Sequence, residues 1–374
     1  MKKNVSRTLA AICVGAMAVS LAACGSSSEE GTTSTSDNAA ASTTSSDTKI
    51  GIVVKTATNA HFQDISYGAM IAGEENGVEV IVQNTTTESD IDGQIQKCED
   101  LISQGVDALI LTANDSDGVS AAVQNAHDND VKFVTVDTEI TNDWGDDVAE
   151  YMPVYIGVDH QAMAKEMAEN IFESMGGEGK IVILRGVDAA SSSQERTAGF
   201  KEALEEYPNI EVVAEQSASY DQDTATQKMS DILQTESDID AVLCCNDLMA
   251  AGAITALKEQ GITVGGDDGV KVAGIDGNVI ALESIADGEM YCTAYDWSIL
   301  QGYYAVEQAI NLINGGEVED DTMMTPDTII TADNIDDFLQ HGQELSEWSM
   351  GDAVGELSDY MKNFIQTGKD LGVE

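Results

Sequence analysis

The feature that most constrains the fold of this chain is a period that runs through it twice. Short β-rich apolar runs at 50–54, 78–82, 108–111, 132–136 and 154–158 alternate with helical segments. A second series follows at 180–184, 210–214, 241–244, 270–275 and 290–294. The runs are continuous rather than alternately apolar and polar, as strands are when helices cover both faces of a parallel sheet. Between them Phe62, Ile65, Ala69 and Ala72 keep helical spacing, as do Ile91, Ile95, Cys98 and Ile102, and Leu248, Ala251, Ile254 and Leu257. Gly77, Gly105 and Gly261 stand where those helices should end. The expected fold class is α/β, built as two doubly wound parallel-sheet lobes.

The chain opens differently. Lys2, Lys3 and Arg7 precede an apolar stretch at 9–21 that is too short for a permanent membrane span, and Leu21-Ala22-Ala23-Cys24 follows. Residues 1–23 therefore read as an export signal. The Leu-Ala-Ala-Cys ending resembles a bacterial lipoprotein box, which implies that Cys24 becomes the lipidated first residue of the mature chain. Residues 24–48 are dominated by Ser, Thr, Ala, Gly and acid and read as a flexible tether to a two-domain head. The formal charge of −50 excludes nucleic acid as a partner and reads as solvated helix faces. Of six cysteines, Cys98, Cys244, Cys245 and Cys292 lie in apolar patterns that suit buried thiols, with a bridge as the alternative.

Ligands of doubly wound sheets sit beyond the carboxyl ends of the strands, so chemistry is sought there. The first series ends in Lys55, Thr56, Asn59, His61 and Phe62, in Asn114 and Asp115, and in Asp137 and Glu139. The second offers Arg185, Ser191-Ser192-Ser193, Arg196, Tyr220, Asp221, Asn246, Asp247, Asp276, Asp296 and Trp297. Carboxylates, amides, a guanidinium and aromatic rings form a set suited to a polyhydroxylated ligand. Each hydroxyl both donates and accepts, and the apolar face of a sugar ring lies on an aromatic side chain. Leaving one such polar group unpaired in a closed site costs about 1–3 kcal/mol, which is a source of selectivity. No nucleophile–base pair, histidine pair with metal spacing or cofactor loop stands at these ends, so a binder without cofactor or metal is expected rather than an enzyme.

Several pieces then occur in order: Val53-Val54 leading to Asn59 and Phe62, Gln104-Gly105-Val106-Asp107-Ala108, Val136-Asp137, Gln194-Glu195-Arg196 before Gly199-Phe200, Cys245-Asn246-Asp247, and Gly274-Ile275-Asp276-Gly277. Over about residues 49–335 they resemble the type I periplasmic binding proteins, the ribose- and galactose-type sugar-binding lipoproteins of ABC importers. The resemblance implies that Asn59, Asp137, Arg196, Asn246 and Asp276 hydrogen-bond sugar hydroxyls while Phe62 and Tyr220 sandwich the ring. It also implies a monomeric, lipid-anchored extracytoplasmic subunit that delivers a monosaccharide to a membrane permease. A multi-strand hinge would join an N-terminal lobe at 49–158 and 297–325 to a C-terminal lobe at 159–296 and 326–340, with 341–374 as a helical extension. Rotation is expected near Asp159, 276–296 and Pro326.

Departures point away from ribose itself. Thr138 stands where the ribose-type pattern has arginine, His61 where it has an aromatic residue, and Asp296 where it has an amide. Glu139 and Asp296 would suit a hexose, a sugar alcohol or an amine-bearing ligand, and Asp296 alternatively a hinge contact. The candidate ligand set is therefore Asn59, His61, Phe62, Asp137, Glu139, Arg196, Tyr220, Asn246, Asp276 and Asp296. Replacing Arg196 or Asp276 with Ala is expected to abolish ligand stabilisation while leaving the ligand-free melting curve nearly unchanged. The alternatives are a receptor for a sensor kinase or chemoreceptor, and a binder of amino sugars or nucleosides.

Other segments have plainer readings. Glu88-x-Asp90-x-Asp92-Gly93 with Glu99 approximates a calcium loop, but the helical spacing that follows makes Asp90 a helix cap. The acidic connection at 139–153, holding Trp144, is either a flap or a packed surface loop. Val354, Leu357, Met361, Phe364 and Ile365 form an amphipathic stripe expected to dock on its own lobe, with a partner contact as the alternative.

Overall fold

The computed structural model describes residues 48–141, 148–266, 268–318 and 320–372. Cys24, the expected export signal, most of the expected tether and Trp144 lie outside these. In chain order the first series runs β1 (Lys49–Thr56), α1 (Ala60–Asn76), β2 (Glu79–Thr85), α2 (Ile91–Ser103), β3 (Ala108–Leu111), α3 (Ser120–Asp128), β4 (Lys132–Val136), α4 (Val148–Tyr151), β5 (Tyr155–Gly157) and α5 (His160–Ser174). The second runs β6 (Glu178–Arg185), α6 (Ser191–Glu206), β7 (Asn209–Ser217), α7 (Gln222–Leu233), β8 (Ala241–Cys244), α8 (Asp247–Glu259), β9 (Lys271–Ile275), α9 (Val279–Ala286), β10 (Cys292–Tyr295) and α10 (Ser298–Ile313). The chain continues through β11 (Thr322–Met324), β12 (Thr328–Ile330), α11 (Asp336–Ser346) and α12 (Asp359–Leu371).

Among the described residues each series builds one six-stranded sheet, ordered β11-β5-β4-β3-β1-β2 and β12-β10-β9-β8-β6-β7. Pairing is parallel except for β12 against β10. In the inner strands the continuous apolar runs are explained by burial on both faces, whereas the edge strands β2 and β7 are only partly buried. In β3, Ala108 and Ile110 join one core with Ile65 of α1 and Val306 of α10, while Leu109 and Leu111 join a second with Cys98 and Leu101 of α2. Gly68 and Gly302 let α1 and α10 cross closely, because a Cβ at either would lie 1.8 Å from a carbonyl oxygen of the facing helix. Cys98, Cys244, Cys245 and Cys292 are buried free thiols. No helix among the described residues is long and apolar enough to cross a membrane.

The chain passes between the sheets after β5, after β10 and between β11 and β12. One side chain touches all three passages: Thr325 Oγ1 lies 3.0 Å from both Gly157 O and Asp296 O. Residues 276–296 are not wholly hinge, since α9 and β10 belong to the body of the second lobe; the passage itself is at 295–298. β11 and β12, three residues each, escaped the sequence reading because neither lies within a longer apolar run, as the equally short β5 does at 154–158.

α11 packs on α9 of the second lobe and on α1 of the first. α12 docks beside it with Met361, Phe364 and Ile365 buried. Phe364 stacks on Trp297 and His341, with ring centroids 4.8 and 4.2 Å apart. The apolar stripe thus closes on its own chain at the junction of the lobes.

Candidate functional site

The carboxyl ends of both sheets face one another across a narrow polar cleft. The first lobe contributes Lys55 from β1, Asn59, His61 and Phe62 from the start of α1, Glu88 after β2 and Asp137 after β4. The second contributes Ser192 and Arg196 from α6, Tyr220 after β7, Asn246 after β8 and Asp276 after β9. Several of these polar residues also serve the backbone. Asn59 and Asn246 cap α1 and α8, accepting from the amides of His61 and Met249 at 3.1 and 2.9 Å. Asp137, Tyr220 and Asp276 adopt positive φ of 63°, 59° and 125°, conformations that surrounding contacts must hold. Gly186 makes room for Tyr220, whose Cζ would lie 2.2 Å from a Cβ there.

Charges in the cleft are buried and cross-braced. Lys55 Nζ donates to Thr138 Oγ1 at 2.7 Å and lies 3.4 Å from Asp137 Oδ2. The chain thus places a cation beside Thr138, from a different strand than the arginine of the ribose-type pattern. Arg196 donates to Cys245 O at 2.8 Å and to Asp276 Oδ1 at 3.3 Å, and lies 3.7 Å from Asp296 Oδ2. His61 has Nε2 3.1 Å from Asp137 Oδ1, with Asp296 Oδ1 3.6 Å from Nδ1. Burial would lower the His61 pKa, but Asp296, Asp276 and Asp137 outweigh it and raise the imidazole to about 10. Asp137 moves the other way: burial would raise it, yet Lys55 and His61 hold it well below the ordinary carboxylate value. His160 is pushed down to about 3 by burial and by Arg196, so it stays neutral. That tautomer fits its contacts, with Nε2–H donating to Asp137 O at 2.8 Å and Nδ1 accepting from Arg196 Nε at 3.3 Å.

The lobes also touch directly. Asn59 Nδ2 donates to Asp276 Oδ2 at 3.3 Å, Asn278 Nδ2 donates to Asn59 Oδ1 at 2.9 Å, and Thr138 and Ser192 hydroxyls meet at 3.2 Å. Phe62 and Tyr220 approach the same volume from opposite lobes, their ring centroids 5.5 and 5.7 Å from Lys55 Nζ.

Of the ten residues expected here, eight line the cleft and two do not. Glu139 is exposed and lines a separate depression with Tyr155 and Thr322, because its backbone N–H is tied to Ser191 Oγ at 3.0 Å. Asp296 is fully buried behind the cleft, where burial raises its carboxyl to about 6 against the pull of His61 and Arg196. Lys55 and Ser192 were among the strand-end residues but outside the expected set. Glu88 was absorbed by the calcium-loop pattern; its position after a strand end was the signal that could have found it. Asp90, from the same pattern, caps α2 through Gly93 N at 3.0 Å.

Comparison with known proteins places these features. The ribose import binding protein RbsB of Bacillus subtilis is 32% identical over 270 residues, 72% of this chain and 83% of that protein. The xylitol-binding protein of Mycolicibacterium smegmatis is 29% identical over 347 residues, 90% of this chain and 89% of that one. Among solved structures, an ABC transporter periplasmic solute binding protein of Actinobacillus succinogenes with bound D-allose superposes with a TM-score of 0.72 at 27% identity, covering 78% of this chain and all of that one. The periplasmic binding protein domain family matches residues 50–317. That span takes in every residue lining the cleft, and the chain belongs to this family of solute-binding proteins.

Proposed function

We propose that this chain is the extracytoplasmic solute-binding subunit of an ABC importer, capturing an uncharged monosaccharide or polyol in the cleft between its lobes and releasing it unchanged to a permease. One observation carries the reading: a single polar cleft draws donors and acceptors from both lobes and sets Phe62 and Tyr220 on opposite sides of it. Asn59, Asp137, Arg196, Asn246 and Asp276 bond ligand hydroxyls, and the Nδ2 donor of Asn246 has no protein partner among the described residues. Lys55, His61 and Arg196 are matched one for one by Asp137, Asp276 and Asp296, so the cleft carries no unpaired cation that would call for an anionic ligand. Relatives named for ribose and xylitol and a structure holding D-allose support a neutral polyhydroxylated ligand. Contacts from both lobes favour the closed arrangement, and the three chain passages absorb the rotation. Anchoring through a lipid on Cys24 keeps the head at the membrane.

The test is thermal shift and calorimetry against pentoses, hexoses, polyols, amino sugars and nucleosides. A ligand at 100 times its dissociation constant should stabilise the protein by about 2.7 kcal/mol, and Phe62→Ala should weaken every sugar alike. No response to any carbohydrate sinks the proposal, as does conversion of the bound sugar into a product. Mass spectrometry of the mature amino terminus reads the lipid on Cys24 directly.

A further inference from the structure

Glu88 is the one carboxylate of the cleft that the charge pairing leaves over. It is 7% exposed, and Oε1 accepts from Asn59 Nδ2 at 3.3 Å. Asp137, Asp276 and Asp296 each lie within 4.0 Å of a Lys, Arg or His nitrogen, whereas among the described residues none lies that close to Glu88. The groups facing it are Lys55 from β1, His61 and Asn59 from α1, Asp276 from the second lobe and the Tyr220 phenol. Asp90, two residues on, turns away to cap α2.

We propose that Glu88 sets the specificity of the cleft by entering the complex as the uncharged acid, its O–H donating to an oxygen of a neutral ligand. Where Glu88 is ionised in the free protein, the proton comes from solvent, so capture takes up a proton. This rests on the sugar-binding reading above. An ionised Glu88 would put one unmatched negative charge into a cavity that the ligand seals from water, and a neutral ligand brings no cation to offset it. As the acid it offers both a donor and an acceptor, the same pair that a hydroxyl presents. A ligand ammonium would do the opposite and hold Glu88 ionised, which makes this residue the discriminator between sugars and amino sugars. Burial already pushes the Glu88 carboxyl up to about 7, with Lys55 and His61 pulling down and Asp276 pushing up. Ligand that excludes the remaining water raises it further.

The sign of the pH effect follows. A neutral ligand binds tightest where Glu88 is already protonated, below about pH 7, and loses affinity as pH rises through that value, approaching tenfold per pH unit. Calorimetry with the best-binding neutral sugar from the panel, between pH 5.5 and 8.5 and in buffers of different ionisation heat, should show that slope and proton uptake above pH 7. Glu88→Gln resembles the acid in shape and keeps a donor; it should bind within roughly threefold of wild type at pH 5.5 and show almost no slope. Affinity that is flat or rises with pH overturns the role, as does a Gln variant with the wild-type slope. If no sugar binds at any pH, the sugar reading falls and this role falls with it; sugar binding with a slope indifferent to the Gln variant overturns this role alone.

Discussion

Residue chemistry at the strand ends serves two purposes at once, and this changes what a substitution does. Asn59 and Asn246 cap helices and face the cleft, while Asp159 and Asp221 cap α5 and α7 without lining it. A polar residue after a strand is therefore not by itself a ligand contact. Arg196 shows the cost of burial. On sequence grounds its removal should leave the ligand-free protein nearly as stable, because a binding residue is expected to face solvent. Instead the guanidinium lies buried between Asp276 and Asp296, and Arg196→Ala leaves those carboxylates with His61 as their remaining cation. Loss of one partner of a buried pair costs about 3–5 kcal/mol, so the ligand-free protein is expected to unfold at markedly lower urea concentration as well as to lose sugar binding. An unchanged unfolding curve would show that the arginine does not hold the carboxylates in place.

At the scale of elements, the βα units follow the apolar runs closely, and the differences lie where runs are short. β3, β4 and β8 match their runs at both ends, whereas β11 and β12 acquire strand character only by pairing with β5 and β10. The terminal helix α12 is amphipathic, and its stripe is satisfied within the chain. Phe364 packs on Trp297, His341, Tyr295, Phe338 and Tyr360. Phe364→Ala is expected to destabilise by about 3–5 kcal/mol, as for other buried Phe truncations. A loss below about 1 kcal/mol in urea unfolding would mean that α12 adds little to the fold. Trp297, at the passage into α10, carries that packing to the hinge, and its indole N–H donates to Thr328 Oγ1 at 3.1 Å.

For the whole molecule, the proposed capture requires the two lobes to move about the three passages. The Thr325 hydroxyl bridges the carbonyls of Gly157 and Asp296. Thr325→Val keeps the shape and removes that bridge. A bond of about 1 kcal/mol corresponds to roughly fivefold in the balance of open and closed lobes. The variant should bind sugar several-fold more weakly and show a smaller ligand-induced contraction in solution scattering. Wild-type affinity together with wild-type contraction would remove Thr325 from the hinge mechanism.

Taken alone, the sequence determined the two-lobed α/β architecture and the surface on which to seek the site, because continuous apolar runs between amphipathic helices have few ways to be buried. It also carried most of the cleft residues, since parallel strands must present their carboxyl ends together. The tertiary structure decided which acids are shared, paired or left over. Glu139 and Asp296 occupy strand-end positions yet miss the cleft, and Glu88 enters it from a loop whose spacing suggested something else. The reason is physical: spacing along a chain fixes which side of a helix or strand a residue takes, whereas the charge state of a buried carboxylate depends on which cations the fold brings within a few ångströms.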